Sequence, residues 1–457
     1  NNVPEAVYPR EITTLQSNKS PAVMFLYQNL IPMKKLALIT LAVAMLAACN
    51  TASDPGTPVG DPGNGGLTLP EGFTAIKVAE DLGRGRHLVV AGNGDIYMAL
   101  RNMNNGNGAV ALRDTTGDGK ADVISYFGSV AGTGIKIHNN YLYFGSDTAI
   151  VRYPFRGKGE LVPDENYEII AEGFPNERQH AAKPFEFDGE GNMYVTVGAP
   201  ANACMEEMRT KGSPGMDPCP LLEYSGGIWR FSEDERNQDQ REDGYRYSTG
   251  IRHAVAISWN PVVNRLYAVQ HGRDQLHQFY PEMYTQQESA DLPAEEFLLL
   301  DDGADFGWPY CYYDQFMEKK VLAPEYGGDG EVVARCSAKT DPIMAFPGHV
   351  APNDLLFYTG DQFPQEYKNG AFIAFHGSWN RAPLEQEGYY VVFVPFEGEY
   401  PSGDWTVFAD GFAGIEEVKS PGDAEHRPTG LAVGPDGSLY VSDSRDGTIW
   451  RIMYQNE

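Results

Sequence analysis

Arginine and histidine recur beside short apolar strands in a chain that is otherwise acidic. Arg84 and Arg86 precede the first such strand, His180 the third, and Arg252-His253 the fourth. His271-Gly272-Arg273 follow the fourth, His349 lies in PGHVAP, His376 in AFHGSWNR, and His426-Arg427 precede the last. Guanidinium forks bind carboxylates bidentately, and imidazole moves protons near neutral pH. Brought together in space, these positions suit a multiply anionic, planar cofactor with acid–base chemistry beside it. Any one of them alone reads as an exposed residue or a salt bridge at a sheet edge. The shared placement is what points to a site.

The elements that must do the positioning are repeats. A turn containing Asp, Asn or Gly leads into a short strand six times: GNGDIYMAL at Ile96, HNNYLYFGS at Leu142, GEGNMYVTVG at Met193, VVNRLYAVQHG at Leu266, KNGAFIAFHG at Phe372 and PDGSLYVSD at Leu439. Second strands such as GGIWRF from Gly226 and TIWRIM from Thr448 follow most copies. Alternating apolar residues between turn signals mark strands, and no long amphipathic helix separates them. Repeats of this kind bury their faces only against neighbours. The pattern therefore predicts an all-β, six-bladed β-propeller of four-stranded antiparallel blades. A β-sandwich array is the alternative. The gaps before Leu266 and Phe372 are long for blades of about 40–50 residues, so inserted loops are expected there. In a propeller, innermost strands line the axis and the loops entering them share one face, where the arginines and histidines would converge.

Composition narrows the partners. The chain has 457 residues, with 63 acidic against 35 basic side chains, a formal charge of -28. That balance repels nucleic acid and anionic lipid. The 50 glycines and 31 prolines fit a turn-rich β fold. Met33-Lys34-Lys35, then Leu36 to Ala48, read as the basic and apolar parts of an export signal. Leu46-Ala47-Ala48-Cys49 has the form of a bacterial lipobox, with Cys49 lipidated after cleavage. The apolar run is too short for a transmembrane helix. The expected organisation is an upstream extension (1–32) absent from the mature protein, a signal peptide (33–48), a lipidated cysteine with a flexible tether (49–66), and the propeller (67–457). Asn50 favours outer-membrane sorting, on the periplasmic side, by resemblance to known lipoproteins. Four further cysteines, Cys204, Cys219, Cys311 and Cys336, suggest two disulfides in an oxidising compartment. Sequence-local pairing is the simplest of three connectivities. Asp114 to Asp122 resembles half of an EF-hand loop without its distal glutamate, so a structural calcium site and a plain hairpin turn both remain open.

The segments RQHAAKPFEFDGEGNMYVTVGAP, STGIRHAVAISWNP, VQHGRDQL, DFGWPYC, GHVAPNDLLFY and HRPTGLAVGPDGSLYVSDS resemble the pyrroloquinoline quinone (PQQ)-dependent sugar dehydrogenases. That family comprises the glucose/sorbosone and aldose dehydrogenases, and the resemblance runs from about Leu67 to the end. GWPYC and GSWNR bring the chain nearest the L-sorbosone dehydrogenase-like branch. The resemblance implies that His180 is the general base and that Arg252 stands beside the reactive quinone carbonyl. His253 stands where relatives often have Asn. The carbonyls of Gly272 and Arg273 would bind calcium. Arg427 would bind a cofactor carboxylate, and His349 would cover the cofactor. His376 falls where some relatives use lysine, and Arg86, in preference to Arg84, would complete the cofactor set.

The implied activity is PQQ- and calcium-dependent oxidation of aldose sugars or sorbosone-like aldehydes by hydride transfer to the quinone. Residue chemistry agrees, since such a step needs a base, an electrophile and a redox cofactor. No G-x-G-x-x-G opens a helix: Gly83-Arg84-Gly85-Arg86 lacks the third glycine, which argues against a nicotinamide enzyme. No C-x-x-C-H attaches a haem, so electrons would pass to a separate acceptor, a cytochrome or the quinone pool. The rivals are a calcium-dependent lactonase or other hydrolase, and a non-catalytic ligand-binding propeller. A hydrolase metal site would want Asp, Glu or Asn at the channel mouth, where this sequence puts Arg and His.

Overall fold

Five of the six blades are four-stranded antiparallel sheets as expected, the second gains a fifth strand, Gln238–Asp239, parallel to Glu168–Glu172, and the six sheets stand around a common axis as a β-propeller. The computed structural model describes residues 58–157 and 159–455. The extension, the signal segment, Cys49 and the tether as far as residue 57 lie outside the described residues. Among the described residues, no helix is long and apolar enough to cross a membrane.

The innermost strands are Gly85–Val90, Gly132–His138, Phe185–Phe187, Ala254–Asn260, Pro352–Phe357 and Pro428–Val433. The six strands carrying the sequence repeat are the second of each blade: Ile96–Asn104, Tyr141–Ser146, Asn192–Val197, Arg265–Gln270, Ala371–Phe375 and Leu439–Asp443. The reason lies in packing. In five blades a tyrosine follows the repeat's apolar residue, and it is buried between neighbouring blades. Tyr97 Oη donates to Leu161 O (2.8 Å), Tyr143 Oη to Glu233 O (3.1 Å) and Tyr267 Oη to Glu399 O (2.9 Å), each across to the next blade. Burying a phenol with its hydroxyl satisfied gives both apolar area and register. The core is accordingly a ring of apolar clusters between blades.

The ring closes by strand exchange between chain ends. Phe73–Ala79 pairs antiparallel with Ile449–Tyr454, from Phe73 opposite Tyr454 to Ala79 opposite Ile449, as the outermost strand of the sixth blade. Residues 58–66, expected as part of the tether, are docked on this strand. Asp61 Oδ2 accepts from Lys77 N (2.9 Å), Asn64 Oδ1 from Thr74 Oγ1 (3.1 Å), and Gly65 O from Trp450 Nε1 (3.2 Å). None of Pro62–Gly66 is buried. The segment packs no core, as its composition implies, and is held by hydrogen bonds that the sequence pattern does not reveal.

Two long insertions fold beside the axial face. The first lies between Asn192–Val197 and Gly227–Ser232 and carries the Cys204–Cys219 disulfide; the second lies between Glu295–Leu300 and Met344–Phe346 and carries Cys311–Cys336. They brace each other: Tyr310 Oη accepts from Cys219 N (2.8 Å), and Tyr326 Oη donates to Cys204 O (3.2 Å). The Asp114–Asp122 loop lies on the outer edge of the first blade. Asp114 accepts from the amides of Gly117 and Gly119 (both 2.7 Å), and Asp122 from Thr115 N (2.7 Å). A hydrogen-bonded turn thus accounts for both aspartates.

Trp450, fully buried on the closing blade, meets Phe412 and His426 edge-on at 5.2 and 4.9 Å. Trp450→Ala should cost about 3–5 kcal/mol, seen as a lower urea midpoint at unchanged slope. A loss under about 1 kcal/mol would show that the closing blade is loosely packed.

Candidate functional site

Innermost strands start, and second strands end, on the same face. This rule brings the candidates together. Arg252-His253 lead directly into Ala254–Asn260, Arg427 into Pro428–Val433, and His349 lies three residues before Pro352–Phe357. His271 and His376 come straight after the second strands Arg265–Gln270 and Ala371–Phe375. Arg86 is inside Gly85–Val90, and His180 enters Phe185–Phe187 from a left-handed backbone position (φ 55°).

His180 Nδ1 lies 2.5 Å from the Ala199 carbonyl. A carbonyl only accepts, so Nδ1 carries the proton and Nε2 keeps its lone pair. The ring stacks on His253 (4.4 Å between centroids, 18° between planes), and His253 neighbours His271 at 5.0 Å. Gly198 permits this approach, because a Cβ there would stand 2.7 Å from His180 Cβ and 2.8 Å from His253 Nδ1. Burial, followed by the charge of Arg252, lowers the His180 pKa to about 3. Burial likewise lowers His271 to about 4 and pulls His253 well below the usual imidazole value. Stacked imidazoles held neutral in this way are bases and hydrogen-bond partners, not cations.

Arg252 is the buried cation of this half of the site. Its Nη1 donates to Gly272 O (2.7 Å), and its Nη2 to Asp274 Oδ2 (2.7 Å) and Asn202 Oδ1 (3.2 Å). Its Nε, also buried, has no partner and is the donor left for a ligand. Asp274 in turn accepts from Asn380 Nδ2 (2.7 Å). Burial alone would raise the Asp274 pKa, but neighbouring groups, the Arg252 guanidinium first among them, hold it below the usual value. Arg273 points elsewhere, into a buried ion pair with Glu325 (2.5 Å), so its backbone oxygen is what it offers the site. Glu295 accepts from Gly272 N (2.7 Å), and burial pushes its carboxyl up to about 8. His349 is enclosed in the wall, with Nε2 on Ser289 O (3.0 Å) and Nδ1 3.9 Å from Asp274.

The opposite half is a cavity of about 220 Å³ lined by Arg84, Arg86, Arg101, His376, Arg427 and Arg445, among others. Arg427 Nη2 donates to His376 Nδ1 (2.9 Å) and Gly377 O (2.5 Å), and Nε donates to His376 O (3.1 Å). A guanidinium cannot accept, so the shorter of the two Nδ1 contacts, to Arg427 rather than to Gly377 O (3.2 Å), calls for the Nε2–H tautomer, with Nε2 2.6 Å from Ser444 Oγ. Burial and then the charges of Arg427 and Arg86 keep the His376 pKa well below the usual value. Arg86 and Arg427 are each lowered to about 10, by burial first, and stay charged at neutral pH. Arg86 Nε is buried with no partner.

Arg84 lies on the exposed rim of this cavity, and the other arginine and histidine candidates lie in the site or its wall except His426, which packs edge-on against Trp450 (4.9 Å) with Nδ1 3.5 Å from Asp443 and 3.6 Å from Asp446. Sequence reasoning missed Arg101, Arg445, Asp274, Asn202 and Asn380. For Arg445 a signal existed: it sits just after a repeat strand, as His271 and His376 do. Asp274 adjoins HGR, but a search for cations passes over the acid that anchors one of them.

A family model described as TrAA12-like matches residues 67–455. The pyrroloquinoline quinone-dependent pyranose dehydrogenase of Coprinopsis cinerea is 31% identical over 189 residues, which is 35% of this chain and 25% of that protein. The chain spans between about a quarter and a half of the length of the curated relatives it matches. Among solved structures, the holo PQQ domain of the Coprinopsis cinerea pyranose dehydrogenase is 18% identical with a TM-score of 0.67, covering 85% of this chain and 97% of that one. A calcium structure of the Trichoderma reesei carbohydrate-active enzyme of family AA12 is 17% identical with a TM-score of 0.68, covering 85% and 97%. These two likenesses show the propeller fold.

A folded-state pKa near 3 for His180, against about 6.5 when unfolded, means that acid draws protons to the unfolded chain first. Its burial therefore lowers stability progressively as pH falls from about 6.5 toward 3. In the cofactor-free protein, an NMR titration of the His180 ring should show a neutral imidazole from pH 8 down to pH 5. A midpoint near 6.5 would contradict the burial argument.

Proposed function

The chain belongs to the TrAA12-like family, and on that premise we propose that it is a PQQ-dependent dehydrogenase oxidising the anomeric carbon of aldose sugars, or sorbosone-like aldehydes. The observation that carries this reading is an arginine-lined cavity at the strand ends of blades one, five and six together with a neutral, oriented imidazole at the entry to blade three.

The residues fit the cofactor. Buried guanidinium groups without an acid partner, including the orphaned Arg86 Nε, call for a bound anion. Arg86 and Arg427 would hold carboxylates of PQQ, with His376 oriented beside them by Arg427. When bound, PQQ supplies the two-electron acceptor that takes hydride from the substrate carbon. The Gly272 and Arg273 carbonyls are the hard oxygen donors that calcium prefers, and the ion's charge would polarise the cofactor. Arg252 already takes one lone pair of Gly272 O.

His180 Nε2 takes the proton of the anomeric hydroxyl as the C1–H bond gives up its hydride, so that the C1–O single bond becomes the C=O of a lactone. Arg252, fixed by Asp274 and Asn202, directs its free Nε–H toward oxygen that gains negative charge. The His253 stack and the Ala199 carbonyl hold the base in one orientation and one tautomer. Electrons then leave to a separate acceptor. The lipobox at Cys49 supports an exported, lipid-anchored enzyme on the periplasmic side of the outer membrane.

Adding PQQ and calcium to the apoprotein should give a cofactor absorbance change and dye reduction with aldoses. The absence of both would end this reading. His180→Ala should lower kcat by about 10²–10⁴ with the cofactor titration unchanged. Arg427→Ala should weaken cofactor binding about tenfold or more, the loss of a charge-assisted contact; an identical titration curve would remove it from the carboxylate set.

A further inference from the structure

Among the described residues, seven arginines lie farther than 4.0 Å from every described carboxylate, and four of the seven, Arg84, Arg86, Arg427 and Arg445, line the same cavity. In a chain of charge -28, acids are plentiful enough to pair almost any arginine. Arginines left unpaired together mark a place where anions are received.

The four form two tiers. Arg86 and Arg427 are the inner tier: burial lowers both to about 10, and Arg427 is clamped by three hydrogen bonds to His376 and Gly377. Arg84 and Arg445 are exposed at the mouth. Arg84 is tied at its backbone, its carbonyl accepting from Arg101 N (2.8 Å), and Arg445 makes one long contact, Nη1 to Pro421 O (3.4 Å). Arg101, between the tiers, is neutralised by Asp147 (2.8 Å). The inner tier meets the requirement of a deep, permanent anion. The outer tier keeps its charge with that anion in place, and a neutral sugar has no use for it.

We propose that Arg84 and Arg445 form a carboxylate subsite for the substrate, and that the sugars this site prefers are carboxylated: uronic acids and short oligouronides with a free reducing end. The inference rests on the dehydrogenase reading for the fate of the anomeric carbon, but the subsite binds its anion with or without turnover. The guanidinium pair at the mouth takes the carboxylate, leaving the anomeric hydroxyl to face inward toward His180. An exposed pair of this kind is screened by salt, so its selectivity depends on ionic strength.

The test compares the wild-type chain with the double variant Arg84→Gln/Arg445→Gln, by calorimetric titration with D-galacturonate and with D-galactose at low and high salt, and by PQQ titration of both proteins. The wild type should bind galacturonate at least tenfold more tightly than galactose. That preference should vanish in the double variant and shrink in high salt, while galactose binding and the PQQ titration stay the same. Equal binding of the two sugars by the wild type, or a preference that survives in the variant, would overturn the proposal. So would a fall in PQQ affinity in the variant, which would assign the outer pair to the cofactor. A wild-type chain that binds no PQQ yet prefers galacturonate would sink the dehydrogenase reading and leave the subsite standing.

Discussion

The pairing of Phe73–Ala79 with Ile449–Tyr454 joins the two ends of the propeller, and the geometry of the axis depends on it. Without that strand the sixth blade has three strands and an open edge, and the ring is held only by apolar clusters between blades. With it, each innermost strand is locked between two neighbours, and six chain segments must begin at the same height on the same face. Residues 58–66 reinforce the joint from outside, through Asp61, Asn64 and the Gly65 carbonyl. A site assembled from blades one, three, four, five and six has no local means of holding its shape. It borrows rigidity from closure.

On that frame the site is organised by a single buried ion pair. Arg252 and Asp274 come from the two strand ends of blade four, and Asn202 and Asn380 reach them from the loops of blades three and five. Breaking a buried pair from one side leaves an uncompensated charge, typically at 3–5 kcal/mol, so the three loops are held to one arrangement. The same pair governs protonation. Arg252 adds its charge to the desolvation that keeps His180 and His271 neutral, and Asp274 only partly offsets it. The base is therefore available because it is buried, with a cation fixed beside it.

The fold was legible because a period of one blade is written into the chain. The turn, the apolar residue and the tyrosine recur wherever a second strand must wedge against its neighbour, and that demand is local. His180, Arg252, His376 and Arg427 were legible for a related reason: they sit within a few residues of strand starts and ends. The rest depended on contacts between distant segments. Arg101 lies within a strand, where period alone cannot tell an axial end from a surface, and Asp274 and Asn202 matter only through what they touch. The docking of residues 58–66 was hidden in a Pro/Gly-rich composition that correctly forbids a core but does not forbid hydrogen bonds to a strand edge. Repetition announces architecture; charge compensation has to be seen.

The contrast between surface and cavity is the final constraint. A net charge of -28 sets up a field that turns away long polyanions such as nucleic acid, which must lie along the surface to bind. At physiological salt that field decays over about 8 Å, so a small anion meets little of it before reaching the mouth. At the cavity the balance reverses: Arg84, Arg86, Arg427 and Arg445 are left without acids, while burial, and then the guanidinium that holds it, keeps His376 neutral. Adding protons to these imidazoles would place more positive charge in a buried ring already rich in it, which is why their basicity is suppressed together. The acidic exterior and the cationic cavity thus work in the same direction, excluding large anions by reach and admitting small ones by local charge.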